Sequence, residues 1–133
     1  MPSHEYYMSL AIAASLGSKC KRKQVGSIIV DKEGRVISTA YNGTPRGSEF
    51  PSESFNSEGT FTNPWVLHSE LNAIIFAKRD ITGCKLYVTL SPCLSCAAII
   101  TQTGISEVYY NEEYRDNTGL TFLQSHGIKC EKI

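Results

Sequence analysis

The sequence predicts an α/β domain: a three-layer α/β/α arrangement around a five-stranded mixed sheet whose third, fourth and fifth strands are parallel. Three observations carry this. Runs rich in β-branched residues alternate with helical stretches in the order α-β-β-α-β-α-β-α-β, with no repeat or linker between them. The first two strands are joined by four residues, which makes a hairpin, whereas helical segments separate the last three and allow parallel crossovers. With 133 residues and 41% hydrophobic content, the chain suits one packed core, a single domain over residues 1–133.

Each element has its own signal. Met8 to Leu16 is apolar, with Ser3 placed to cap a helix and Gly17 to stop it, and Met8, Ile12 and Leu16 recur every fourth residue. The run is only about half a bilayer span, and Glu5 stands where a signal peptide needs a basic residue, so neither a membrane span nor a leader is expected. Val25 to Val30 and Arg35 to Tyr41 are strands around the turn Asp31-Lys32-Glu33-Gly34. From Asn42 to Asn63 periodicity disappears, and Gly, Ser, Pro, Asn and Glu dominate. A loop of that length in a compact domain implies a role such as covering a site.

Val66 to Arg79 has apolar residues at Leu67, Leu71, Ile74 and Ile75 and basic residues at its end, which predicts a helix. Lys85 to Leu90 is a short buried strand. A helix from Cys93 to Thr103 follows, closed by Gly104, with Pro92 suited to a helix start. Glu107 to Tyr110 is the fourth strand, Asn117 to His126 a helix stopped by Gly127, and Ile128 to Ile133 the last strand.

Composition narrows the function. The 13 Lys and Arg cancel the 13 Asp and Glu, so the chain lacks the basic excess that holds long nucleic acids through their phosphates. Five cysteines, an odd number dispersed except for one close pair, fit free or metal-bound thiols in the reducing cytoplasm better than a disulfide framework.

The chemistry concentrates at His68, Glu70, Cys93 and Cys96. Cys-x-x-Cys at a helix start puts two sulfurs on one side, where unpaired N–H groups favour the metal-binding thiolate. Alone, this pair would equally suit a redox couple or half of a structural zinc site. With His68 on the neighbouring helix it makes three ligands, and three leave the fourth tetrahedral position of Zn2+ open, as catalysis requires. Glu70 is then the carboxylate in reach of a bound water, a proton carrier. A closed site would need a fourth ligand from Cys20, Cys84, Cys130 or His126. These read better as core or strand-edge thiols (Cys20, Cys130), a turn residue (Cys84) and an exposed histidine, as does His4.

On these residues the chain resembles the cytidine-deaminase superfamily, and more narrowly its deoxycytidylate (dCMP) deaminases, including short phage members. His-x-Glu followed by Pro-Cys-x-x-Cys is the known signature of zinc-dependent nucleobase deaminases. His68-Ser69-Glu70-Leu71-Asn72-Ala73-Ile74 is similar to that family's His-Ala-Glu-Leu-Asn-Ala-Ile, with Ser69 a small-for-small change that should leave the zinc face intact. Tyr87 to Ala97, which includes Ser91, looks like its second zinc block. Gln24-Val25-Gly26 and Tyr41-Asn42-Gly43-Thr44-Pro45-Arg46-Gly47 resemble its nucleotide blocks.

The resemblance implies hydrolysis of dCMP to dUMP, with Glu70 protonating N3 and later the leaving amine, one Zn2+ per chain, and substrate contacts from Asn42, Ser91, Tyr114 and Arg115. The candidates for the phosphate are Lys21, Arg22, Lys23, Arg46 and Tyr114-Arg115, of which Arg115 is favoured, since strand ends converge on the site in parallel sheets. It also implies a homohexamer activated by dCTP and inhibited by dTTP, with Mg2+ accompanying the triphosphate. Arg22, Lys23, Tyr41, Asn42, Gly43 and Arg46 are the expected lining of that effector site, and the helix face with Phe76 and Arg79 a candidate interface. Some viral members carry a second zinc in the insertion before the His-x-Glu helix, but Ser48 to Leu67 contains neither Cys nor His. The competing readings are a deaminase of cytidine, guanine or tRNA adenosine, and a nucleotide sensor without catalysis.

Overall fold

The structure, a computed structural model, describes residues 1–133. Its elements are α1 (His4–Ser15), β1 (Gly26–Val30), β2 (Val36–Tyr41), β3 (Glu53–Asn56), β4 (Gly59–Thr62), α2 (Ser69–Ala77), β5 (Lys85–Leu90), α3 (Leu94–Thr103), β6 (Glu107–Glu112), α4 (Thr118–Ser125) and β7 (Lys129–Lys132). Five strands form one sheet in the order β2-β1-β5-β6-β7. β1 is antiparallel to both β2 and β5, whereas β5, β6 and β7 run parallel. This is the mixed sheet expected from the connection lengths.

Two cores cover the two faces. Ile28, Val30, Tyr87 and Tyr109 pack against Tyr7, Met8 and Ala11 of α1, while Ile29, Leu86, Val88 and Val108 pack against Ala73 of α2, Ala97 and Ile100 of α3 and Leu123 of α4. Every residue of β1 is therefore buried, Ser27 included, which explains why Ile28, Ile29 and Val30 run together without alternation. Full burial of each such aliphatic side chain is worth about 1.5–3 kcal/mol. No helix is long and apolar enough to cross a membrane.

α1 starts earlier than the apolar run suggests, because Ser3 Oγ accepts the Tyr6 N–H and opens the helix at His4. Its buried face also differs from the one expected. Tyr7, Met8, Ala11 and Ser15 face the sheet, whereas Ile12 and Leu16 are exposed. A spacing of four overshoots the 3.6-residue turn, so the row from Met8 drifts off the core. Contact with β1 selects small residues: a Cβ on Gly26 would lie 2.1 Å from the Ala11 carbonyl oxygen. His4, expected to be exposed, is half-buried, with Nδ1 2.6 Å from the Tyr87 hydroxyl and its ring over Tyr109.

The long segment after β2 is not featureless. β3 and β4 pair as a separate hairpin around Asn56-Ser57-Glu58-Gly59, with Gly59 at φ 118°. Its strands are exposed or half-exposed and so lack the alternation that marks a buried strand. The following helix also begins later than its pattern. Val66 and Leu67 precede it, and a two-bond bridge between Gly43 and Leu67 pins the chain to the end of β2. α2 then stops at Lys78, which adopts a left-handed conformation at φ 52°.

Candidate active site

His68 and Cys93 occupy the same local position, each the residue that opens a helix with an extended backbone: His68 before α2, Cys93 before α3. Cys93, expected as the first helical residue, is therefore the cap of α3, and Pro92 lies just before it. The Gly43–Leu67 bridge fixes the approach to α2, and the end of β5 fixes the approach to α3. Cys96, in the first turn of α3, completes the group.

The donor atoms of His68, Cys93 and Cys96 lie within 4.8 Å of one another. His68 Nδ1 is 3.2 Å from Cys96 Sγ and 3.5 Å from Cys93 Sγ. Zinc bonds of about 2.0 Å to nitrogen and 2.3 Å to sulfur, at tetrahedral angles, place those atoms about 3.5 Å apart, so the donor set fits Zn2+. Electrostatics agrees. Hydrogen bonds from Cys96 and then His68 pull the Cys93 thiol down to about 4, a thiolate at neutral pH. Sharing with Cys93, and then burial, push the Cys96 thiol up, while the hydrogen bond to Cys93 raises His68. Together they favour a cation that would displace the remaining proton.

Glu70 lies one residue into α2 and is 4% exposed. Burial raises its carboxyl above the ordinary range, so this acid is disposed to take up and return a proton. Ser69 does more than fill an alanine's space. Its hydroxyl donates to Glu70 Oε1 at 3.0 Å and lies 2.6 Å from Ser27 Oγ, anchoring the acid to β1.

These groups open onto a cavity of about 370 Å³, within the range of about 300–1,000 Å³ typical of small-molecule sites. Asn42, Ser91 and Tyr114, expected as substrate contacts, line it. Ser91 Oγ accepts the Tyr114 N–H at 2.7 Å, which draws the segment after β6 to the site. The Asn42 side chain is largely committed to the scaffold, accepting the Val25 N–H and donating to the Lys23 carbonyl. Arg115 is exposed and is not part of the wall.

Arg22 and Lys23, expected either at the substrate phosphate or in the effector site, stand apart from the rest of the effector group. Both line the catalytic cavity, with Lys23 Nζ 2.8 Å from Glu112. Tyr41, Gly43 and Arg46 instead line a second cavity of about 750 Å³, which Asn42 also borders. There the Arg46 guanidinium lies over the exposed Phe76 ring. Sequence reasoning missed Cys20, Glu53 and Phe61 in the catalytic wall. Asn56-Ser57-Glu58-Gly59 between aromatic and β-branched residues was the signal that could have located the hairpin bearing Glu53 and Phe61.

A His/Cys/Cys face with an open position, a buried carboxylate beside it and a ligand-sized cavity above define a zinc hydrolase site carried on two helix N-termini. Comparison with known proteins narrows that class. The model of the cytidine and deoxycytidylate deaminase zinc-binding region matches residues 1–112, and the chain belongs to that family. It is 42% identical to a deoxycytidylate deaminase of Saccharomyces cerevisiae over 96% of this chain, and 37% identical to one of Homo sapiens over 97%. It spans 44% of the yeast protein's length and 82% of the human one's. The crystal structure of a dCMP deaminase from the cyanophage S-TIM5, in complex with dCMP and dUMP, superposes with a TM-score of 0.88 at 40% identity, over 97% of this chain and 95% of that one.

Proposed function

We propose that this chain hydrolyses dCMP to dUMP and ammonia, with one Zn2+ held by His68, Cys93 and Cys96. The observation that carries this reading is buried Glu70 beside an open three-ligand face, in a cavity whose wall holds the cations a mononucleotide needs. When bound, zinc would lower the pKa of a water toward 7 and so supply the nucleophile. Glu70 delivers a proton to ring N3 and then to the departing amine. Ser69 and Ser27 hold its Oε1. Arg22 and Lys23 receive the 5′-phosphate, with Arg115 outside the cavity wall, while Tyr114 and Ser91 close the same wall and Asn42 offers its remaining amide hydrogen to the nucleotide.

The larger neighbouring cavity is the proposed effector site. Tyr41, Gly43 and Arg46 would receive dCTP as activator or dTTP as inhibitor, Mg2+ accompanying the triphosphate, in a homohexamer in the reducing cytoplasm. Its support is the wall shared at Asn42, through which occupancy of one cavity would be felt in the other. The test follows ultraviolet loss of the cytosine amine with dCMP, dCTP, cytidine and guanine, with and without dCTP and dTTP. Turnover of dCMP, modulated by the triphosphates, is the expected result. Turnover of cytidine but not dCMP would overturn the substrate.

A further inference from the structure

One polar group in the catalytic wall has no use in the chemistry described. Glu53, on β3, places Oε1 3.3 Å from the Lys21 N–H, which it accepts. Its Oε2 is the one buried side-chain nitrogen or oxygen in the molecule without a hydrogen-bond partner. Glu53 belongs to none of the chain's ion pairs, although Lys21, Arg22 and Lys23 are close by in the fold. A carboxylate oxygen withdrawn from water without a donor is costly, and such groups persist where a ligand supplies the donor.

The chemistry of the substrate identifies that donor. A carboxylate accepts hydrogen bonds and repels phosphate. At neutral pH dCMP has two kinds of hydrogen-bond donor, the ring amine and the sugar 3′-hydroxyl. The amine is the group lost at the metal face beside Glu70. The 3′-hydroxyl is what remains.

We propose that Glu53 is a specificity residue that accepts the 3′-hydroxyl of the deoxyribose, through the oxygen that has no partner within the protein. The terminal carboxylate torsion of Glu is soft, so a small rotation presents Oε2 to the sugar. The hairpin then contributes to the pocket directly: β3 contacts the sugar, and the cations of the preceding basic segment hold the phosphate away from the carboxylate.

The inference rests on dCMP as substrate, and the experiment separates the two. kcat/KM is measured for wild type, Glu53→Ala and Glu53→Gln with dCMP and with 2′,3′-dideoxycytidine 5′-monophosphate, alongside zinc content and thermal unfolding. Wild type should prefer dCMP by roughly ten- to hundredfold, the usual worth of a hydrogen bond to a charged group. In Glu53→Ala that preference should collapse to within about threefold, because the dideoxy substrate hardly notices the change. Glu53→Gln, which keeps an acceptor for the Lys21 N–H and so serves if the alanine variant misfolds, should fall between the two. A wild type indifferent to the 3′-hydroxyl, or variants that lose both substrates equally, would overturn the role of Glu53 while leaving dCMP as substrate. A wild type inert on dCMP would overturn both readings together.

Discussion

Gly119 separates what helix propensity predicts from what packing dictates. It is the second residue of α4, where alanine would ordinarily favour the helix by up to about 1 kcal/mol. Here a Cβ would lie 2.1 Å from the Pro92 carbonyl oxygen and 2.9 Å from the Cys93 carbonyl carbon. Ordinary contact begins near 3.4 Å, so α4 or the Pro92–Cys93 peptide must move by more than an ångström. Overpacking of this kind costs about 1–3 kcal/mol, which outweighs the propensity gain and corresponds to roughly 4–12 °C in Tm for a chain of this size. The peptide on the far side of that clash carries the candidate metal ligand Cys93, and such sites tolerate only about 0.5 Å of displacement, so even a shared shift disturbs it.

Gly119→Ala should therefore lower Tm in the presence of a chelator and also weaken zinc binding. Thermal unfolding of the metal-free protein and competition with a zinc indicator measure the two effects. Gly43→Ala is the control for stability, since a Cβ there meets nothing within 4 Å. A Gly119→Ala protein with wild-type zinc affinity and a Tm within about a degree of wild type would refute the reasoning that α4 bears on the metal loop.

Other predictions test the remaining parts. Glu70→Gln should keep its zinc and fold while losing about 10²–10⁴-fold in kcat, measured by ultraviolet turnover beside metal analysis. Arg22→Ala should raise KM for dCMP far more than for deoxycytidine, which has no phosphate, whereas Arg115→Ala, outside the cavity wall, should have the smaller effect; the reverse order in steady-state kinetics would return the phosphate to Arg115. Elemental analysis should give one zinc per chain, and prolonged chelation should abolish turnover until zinc is restored. Ser69→Ala leaves the buried Ser27 hydroxyl without its partner and should cost about 1–2 kcal/mol in denaturant unfolding.

Most of the sheet was legible in the sequence because its strands and connections obey local rules. The Asp31-Lys32-Glu33-Gly34 turn specifies a hairpin by its length and its glycine, and Gly104 and Gly127 stop their helices through left-handed conformations at φ 84° and 79°. The zinc residues were legible for a related reason. Cys93 and Cys96 are one helical turn apart, and Glu70 is two residues from His68, so each half of the site is a local arrangement at a helix start.

Where the partner lies far away in the chain, the sequence was silent or misleading. The face of α1 follows from the fit of Ala11 and Ser15 over Gly26, which placed Ile12 and Leu16 outside despite their hydrophobicity. The β3–β4 hairpin buries too little to leave a periodic signal, yet it brings Glu53 and Phe61 into the catalytic wall. Arg22 and Lys23 belong to a basic run that could have served either cavity, and only the path of the chain into β1 assigned them to the catalytic one. Residue identity and short spacing thus determined the candidate ligands, the carboxylate beside them and the succession of the main sheet's strands along the chain, because these depend on backbone geometry within a few residues. The occupants of the cavity wall depend on which distant surfaces pack together, and that was decided by close packing in three dimensions.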